Sequence, residues 1–442
     1  MGPIEITFVV YLIFMVTVGV ITYKMTSTLT DYVLAGRGLN PWVAAMSAQA
    51  SDMSGWLLLG LPGAAYASGM GQWGIWMCIG LATGTMLNWQ FVAKKLRAYT
   101  ELAGDSITLS EFFSNRFRDN SEALRIVSAL FILIFFLFYT ASGLVAGGKL
   151  FESFLGVPYL TALTVGTVVI LIYTFVGGFI AVTWLDFVNG ILMFIALILT
   201  PMGIVANLGG VGGVLTEIGQ VNVDLLDITQ GVAYSASDGT WSSTGPIGVV
   251  GIVSALAWGL GYFGQPHILA RFMAIGSLRG VKNSRLIAMV WVVLTLFGAS
   301  MVGFMGISFF GPDNPLPDSE WVFLELVQVV FNPWLAGIFL AAVLAAIMST
   351  VDSQLLVSSS ALTQDFYRRF FKKNASDKEL VWGGRISVLI ITLIAYYLAW
   401  EEGNVLELVE YAWAGFGATF GPVVLLSLFW RYTTKNGALA GI

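Results

Sequence analysis

The chain has 442 residues, 57% of them hydrophobic and only 11% charged, with a mean hydropathy of +0.82. Soluble domains carry about 25% charged residues, so a water-soluble globular protein is excluded. Net charge −5 says little where charges are sorted by side, but one cysteine (Cys78) and one histidine (His267) exclude a disulfide framework, Cys-rich metal sites and bis-histidine haem ligation, along with most zinc and copper schemes.

At roughly 20 apolar residues per crossing, the sequence predicts eleven spans, near 4–25, 42–67, 71–93, 124–151, 158–180, 184–208, 247–268, 286–310, 334–362, 380–400 and 405–430. The first apolar run, Ile4 to Tyr23, has no basic lead and is long enough to span, so it is read as a span and not as a cleavable signal peptide. Span 2 is interrupted by Gln49-Ala50-Ser51-Asp52-Met53-Ser54-Gly55-Trp56. A broken polar segment at bilayer depth is tolerated only where protein buries it or it lines a cavity. An ionisable residue there marks a functional site. Between spans 3 and 4, Thr108 and Glu111 have capping-box spacing and open a short helix through Phe113. Gly143 to Leu150, within span 4, is one residue short of a phosphate-binding loop and has Leu150 where magnesium needs a hydroxyl. It reads as helix-packing glycine, which argues against an ATP-driven pump.

The loop 209–246 contains Glu217, Asp224, Asp227 and Asp238 but no Lys or Arg. Span 7 is the second irregular one, with three glycines and a proline between Trp258 and Pro266. His267 follows the break and reads as a satisfied polar residue. Trp321 to Phe331 is apolar but too short to span, and is expected to fold over the outer mouth. The sequon Asn374-Ala375-Ser376 falls on the inner side, where it would not be glycosylated.

Basic residues follow span 1 (Lys24, Arg37), separate spans 3 and 4 (Lys94 to Arg125), 7 and 8 (Arg271, Arg279, Lys282, Arg285) and 9 and 10 (Arg368 to Arg385), and follow span 11 (Arg431, Lys435). All those loops share one face, with Lys149 the exception. The positive-inside rule makes that face cytoplasmic, with the amino terminus outside and residue 442 inside. Spans 2 and 7 start five crossings apart and therefore run in opposite directions. Paired interrupted segments in oppositely oriented halves point to an inverted-repeat secondary transporter. The expected plan is one transmembrane domain, 1–442, with an extra span (4–25), a first repeat (42–208) and an inverted second repeat (247–430).

Ala50 to Trp56, Trp258 to Arg271, Gly337 to Gln354, Gly177 to Asp186 and Tyr411 to Gly417 resemble the sodium/solute symporter family, closest to its sodium/proline symporters. The resemblance runs along nearly the whole chain. It implies an all-α, polytopic, LeuT-type five-plus-five fold with sodium and substrate beside the unwound helices. It also implies a sodium-coupled symporter of the plasma membrane that imports L-proline by alternating access, and no enzymatic activity. Another small solute (a different amino acid, a betaine, pantothenate) is the alternative on the same fold. A channel or a transport-like sensor belongs to another class. Expected partners are sodium, L-proline and the lipid bilayer, with no nucleic acid and no obligatory protein partner.

Sodium wants several hard oxygens at short range. Ala346, Ser349 and Thr350 in span 9, spaced i, i+3 and i+4, present a carbonyl and two hydroxyls on one helix face. The break in span 2 offers the carbonyls of Ala50 and Met53. These five positions match the family's ion site, although small residues such as Ser349 and Thr350 also serve simply as packing in membrane helices. Asp52 could coordinate sodium indirectly, accept backbone amides within the break, titrate as a proton site, or pair with a base such as Arg37. Asp186 is a candidate on the exit path. Asp352 is either an exit carboxylate or a solvated cap. For proline, Ser54 and Gly55 would supply donors to the carboxylate at a positive helix end. Tyr139, Trp258 and Tyr262 would supply an aromatic wall with cation–π contact, and Gln265 with Pro266 the floor. These substrate positions also match the family pattern.

Overall fold

Each stretch expected to span proves to be helical. The computed structural model describes residues 2–23, 29–176 and 179–442; Lys24 and the Gly177-Gly178 pair lie outside the described residues. Span numbers are kept for the helices. Span 1 is Pro3–Tyr23, span 2 is Pro41–Ala50 and, beyond the break, Leu61–Ser68, and span 3 is built around Met77–Leu87. Spans 4, 5 and 6 are Ala123–Leu155, Tyr159–Val176 and Phe179–Asn207. Span 7 is Val249–Ala257 and Pro266–Ala274, joined by a tight 3-10 stretch, Trp258–Gly264. Spans 8 to 11 are Gly280–Phe310, Pro333–Ser360, Asp377–Leu398 and Val405–Phe429. Among the described residues, six helices are long and apolar enough to cross a membrane, those of spans 4, 6, 8, 9, 10 and 11.

The helices that frame the centre start in the same way. Asn40 and Asn332 each accept two backbone N–H groups of the first turn, and each is followed by a proline whose missing N–H costs nothing there. Span 9 is the most enclosed of those six and packs against spans 1, 4, 6 and 10. Spans 3 and 11 flank the break of span 7. Thr108 caps Leu109–Arg116, accepting from Glu111 N at 3.1 Å, while Glu111 accepts from Ile107 N at 2.9 Å, so the short helix runs one turn beyond Phe113.

Two expectations need correcting. The 209–246 segment, read as a loop, contains a helix, Val211–Val221, and an antiparallel hairpin, Gln230–Ser235 with Thr240–Pro246. The Asp238-Gly239 turn, with Gly239 at φ 64°, and the facing Tyr234 and Trp241 explain it. Trp241 Nε1 donates to the Tyr66 carbonyl at 2.7 Å, pinning the hairpin to the end of span 2. Second, Arg271 does not lie in a basic loop. It is inside Pro266–Ala274 and fully buried, because the helix after the break is still within the protein at that point. Lys149, the exception among the basic residues, has its own acidic partners. It pairs with Asp318 at 2.6 Å and Glu320 at 2.7 Å, and Glu320 in turn accepts the Val405 and Leu406 amides that open span 11. The apolar stretch after Trp321 forms the helix Val322–Val330, laid against spans 2, 6, 8 and 9.

Candidate functional site

Ser51 to Gly55 form the break itself. Gln49 O accepts from both Asp52 N (3.2 Å) and Met53 N (2.8 Å), and Ser54 N turns back to Asp52 O at 3.0 Å. This closes a non-helical turn and releases the carbonyl of Ala50 from the ladder. Gly55 follows because nothing larger fits: a Cβ there would stand 2.6 Å from Ala146 Cβ of span 4 and 3.2 Å from Ile347 of span 9.

Span 9 meets the released carbonyl. Ser349 Oγ donates to Ala50 O at 2.8 Å and to Ala346 O at 3.0 Å, and Thr350 Oγ1 donates to Ala50 O at 3.3 Å. Four of the five expected ion ligands thus converge as two carbonyls and two hydroxyls, all buried. Met53 is buried in the same turn. The donor set is neutral oxygen throughout, suited to an alkali cation and poor for a transition metal. Among the described residues no cluster of three His, Cys, Asp or Glu could hold a metal ion.

Asp52 is fully buried, and no cation or backbone amide reaches its carboxylate oxygens. It does not hold the break through backbone amides, and it does not pair with Arg37. Arg37 instead reaches Asp105 (3.0 Å), Thr100 (3.3 Å), the Met273 carbonyl (2.9 Å) and the Ser106 carbonyl (2.8 Å). The backbone of Asp52 is well held, its carbonyl accepting from Tyr139 OH at 2.9 Å and Trp56 Nε1 at 3.0 Å. Tyr262 lies beside its carboxylate.

The substrate set divides in two. Ser54, Tyr139 and Tyr262 gather around Asp52. Trp258 and Gln265 instead brace span 7 against span 11. Trp413 Nε1 donates to Trp258 O at 2.7 Å, and Gln265 Nε2 reaches Gly261 O at 3.2 Å and Trp413 O at 3.4 Å. The Trp258 ring meets Trp73, not Tyr139 or Tyr262, and lines a groove of about 740 Å³ with Gly261, Phe263 and Trp413. Pro266 is the first residue of its helix. His267 departs from the satisfied residue expected: it is buried edge-to-face against Phe136 (5.6 Å) and Tyr139 (5.9 Å), and neither ring nitrogen is bonded.

Asp186 stands apart from both sets, in a buried ionic knot. Ser47 Oγ donates to it at 2.6 Å, and Arg271 Nη2 approaches at 3.2 Å. Arg271 also bonds Ser47 at 3.1 Å and, through a short contact, Ser353. Its guanidinium lies 4.8 Å over the Phe179 ring. Asp352 is buried and accepts from Thr174 of span 5, so it is not a solvated cap. Sequence reasoning missed Arg271, Ser47 and Ser353 as a unit. The available signal was an arginine inside the apolar run Ile268 to Ile275, too close to the break to lie in a loop.

A family model described as Sodium:solute symporter family matches residues 32–442. The sodium/proline symporter of Escherichia coli (strain K12) is 50% identical over 447 residues, covering 100% of this chain and 86% of the relative. The high-affinity proline transporter PutP of Bacillus subtilis (strain 168) is 50% identical over 430 residues, covering 97% and 87%. Among solved structures, a Na+-coupled sialic acid symporter in a substrate-bound outward-open state superposes with a TM-score of 0.79 at 20% identity, covering 100% of this chain and 90% of its own. At that identity the likeness speaks for the fold, which is the LeuT-type fold expected.

Proposed function

The chain belongs to the sodium:solute symporter family, and on that premise we propose that it is a sodium-coupled symporter importing L-proline by alternating access. Family and relatives are transporters, and the protein is integral to the membrane. The single observation that carries the coupling is the meeting of Ala50 O with Ser349 and Thr350 across spans 2 and 9. Sodium entering there would be held by Ala50, Ala346, Ser349 and Thr350, with Met53 as a fifth ligand. The two hydroxyls would turn their lone pairs inward in place of their present donation. An ion bound between two helices ties them together. The binding turn beside it, Asp52 to Gly55 with Tyr139 and Tyr262, is then fixed for substrate. Asp52 supplies negative potential at this depth, and loss of sodium to the inner side loosens the same contact and releases proline.

The repeats are taken as 42–208 and 247–430, with the amino terminus outside and residue 442 in the cytoplasm. Entry of one positive charge is then favoured by about 2.3 kcal/mol per 100 mV of inside-negative potential. Purified protein in proteoliposomes decides the reading. An imposed inward sodium gradient should drive labelled proline above its equilibrium level. Uptake that only equilibrates, or that betaine or pantothenate inhibits more strongly than unlabelled proline does, would sink it.

A further inference from the structure

Spans 3 and 7 touch backbone to backbone. A Cβ on Gly84 would stand 2.0 Å from the Gly259 carbonyl oxygen, and one on Gly80 2.4 Å from that of Leu256. That approach lays the face of span 3 carrying Thr85 and Asn88 along the broken stretch of span 7. Asn88 Nδ2 donates to the Tyr262 carbonyl at 2.9 Å, which holds Tyr262 from behind. The Tyr262 hydroxyl lies beside both the Asp52 carboxylate and the Thr85 hydroxyl.

All four side chains are buried, at 0% exposure for Asp52 and Asn88 and 1% for Thr85 and Tyr262. Five of their polar atoms nevertheless find no partner outside this group: both Asp52 oxygens, Thr85 Oγ1, Asn88 Oδ1 and the Tyr262 hydroxyl, which faces only Asp52 and Thr85. Dry, unpaired polar groups are costly, and folded proteins keep them where a ligand or water completes them. Asn88 Oδ1 and the Asp52 carboxyl offer acceptors, and the two hydroxyls can turn either way. The complement of such a cage is a donor carrying positive charge. The sodium set on span 9 has its own oxygens and uses none of these.

We propose that Thr85 is a specificity-determining residue: its hydroxyl, with that of Tyr262 and the Asp52 carboxylate, accepts the two N–H groups of the substrate's secondary ammonium. This rests on the functional reading above and assigns to span 3 a part in recognition. The full chain in proteoliposomes tests it through Thr85→Val, which keeps the shape and removes the hydroxyl. The apparent KM for proline should rise roughly tenfold, as loss of a hydrogen bond to a charged group implies. The sodium concentration for half-maximal uptake should stay within about twofold of the wild-type value, a shift too small to count as a lost ligand. Thr85→Ser should restore the KM.

Tetrahydrofuran-2-carboxylate, with a ring oxygen where proline has its ammonium, should inhibit wild type and Thr85→Val equally. An unaltered KM overturns the assignment. So does a shift in sodium dependence in place of the KM, which would put the metal ion in the cage, or equal weakening of both ligands, which would mean general distortion. Should the valine variant fail to reach the membrane, Thr85→Ala must show the rise and Thr85→Ser must not. Proline uptake indifferent to Thr85 fails this inference alone, whereas a wild-type protein without sodium-driven proline uptake fails the functional reading.

Discussion

In span 7 the carbonyls freed by the break are met by side chains from three directions: Trp258 O by Trp413, Gly261 O by Gln265 and Tyr262 O by Asn88. Its glycines admit neighbouring backbones, Gly259 against Gly80 of span 3 and Gly264 against Phe416 of span 11. In span 2 the backbone is equally well held, yet Asp52 keeps two bare carboxylate oxygens and the Ala50 carbonyl points at two hydroxyls. The break in span 7 is a packed joint whose leftover polar atoms, among them the Tyr262 hydroxyl and the His267 nitrogens, are neutral, whereas the break in span 2 is a joint whose leftover group is a carboxyl. Glycine and proline mark where a membrane helix can open. Unpaired buried charge marks where something is meant to bind.

The sharpest way to break this comparison sets Asp52 against Asp186, the same side chain at similar burial but paired. Arg271→Met strands Asp186 without its cation and should destabilise the protein by about 3–5 kcal/mol, read as a large fall in melting temperature in detergent. Asp52→Asn removes a carboxyl group that has no cationic partner. It should leave that temperature unchanged or raise it, while increasing the sodium needed for half-maximal uptake. Equal melting temperatures for the two variants would mean that Asp52 is structural after all.

Next in size is Gly259→Ala, whose Cβ would lie 2.0 Å from the Gly80 carbonyl oxygen. Overpacking of this kind costs about 1–3 kcal/mol, so the yield of folded protein should drop, whereas Ser54→Ala should fold normally and transport poorly. A well-folded Gly259→Ala protein would contradict the packed joint. Ser349→Ala should raise the half-saturating sodium concentration roughly tenfold at constant proline KM, the order expected for losing one ligand worth about 1.4 kcal/mol. Parallel rises in both constants would detach Ser349 from the ion. The smallest effect is that of Trp413→Phe, which leaves the Trp258 carbonyl without its donor for about 1 kcal/mol. A modest fall in melting temperature with unaltered sodium dependence is expected, and a changed sodium dependence would tie the two joints together.

Much of the architecture was legible because local energetics wrote it. Lipid-length apolar runs placed the helices, and the Thr108–Glu111 spacing placed a short helix between spans 3 and 4. The convergence of Ala346, Ser349 and Thr350 on Ala50 was also readable, since helical spacing puts the three on one face. Three features were not readable for one common reason. The hairpin 230–246 is held through Tyr66, the fate of Arg37 depends on Asp105 and Met273, and the Trp258 ring packs on Trp73. Each partner lies far along the chain.

By itself the amino-acid sequence determined that this is a membrane protein with two interrupted helices, which residues sit in the interruptions, and which family it resembles. These follow from hydropathy, from the backbone preferences of glycine and proline, and from motifs, all properties of neighbouring residues. Only the tertiary structure decided which buried charges are paired. Arg271 stabilises Asp186 because spans 6 and 7 both pack on the first half of span 2, and Asp52 is left without a counter-charge because no cation of the described chain is brought to it. A charge taken out of water must find its counterpart wherever folding delivers one, and that delivery depends on distances in space that the order of residues does not state.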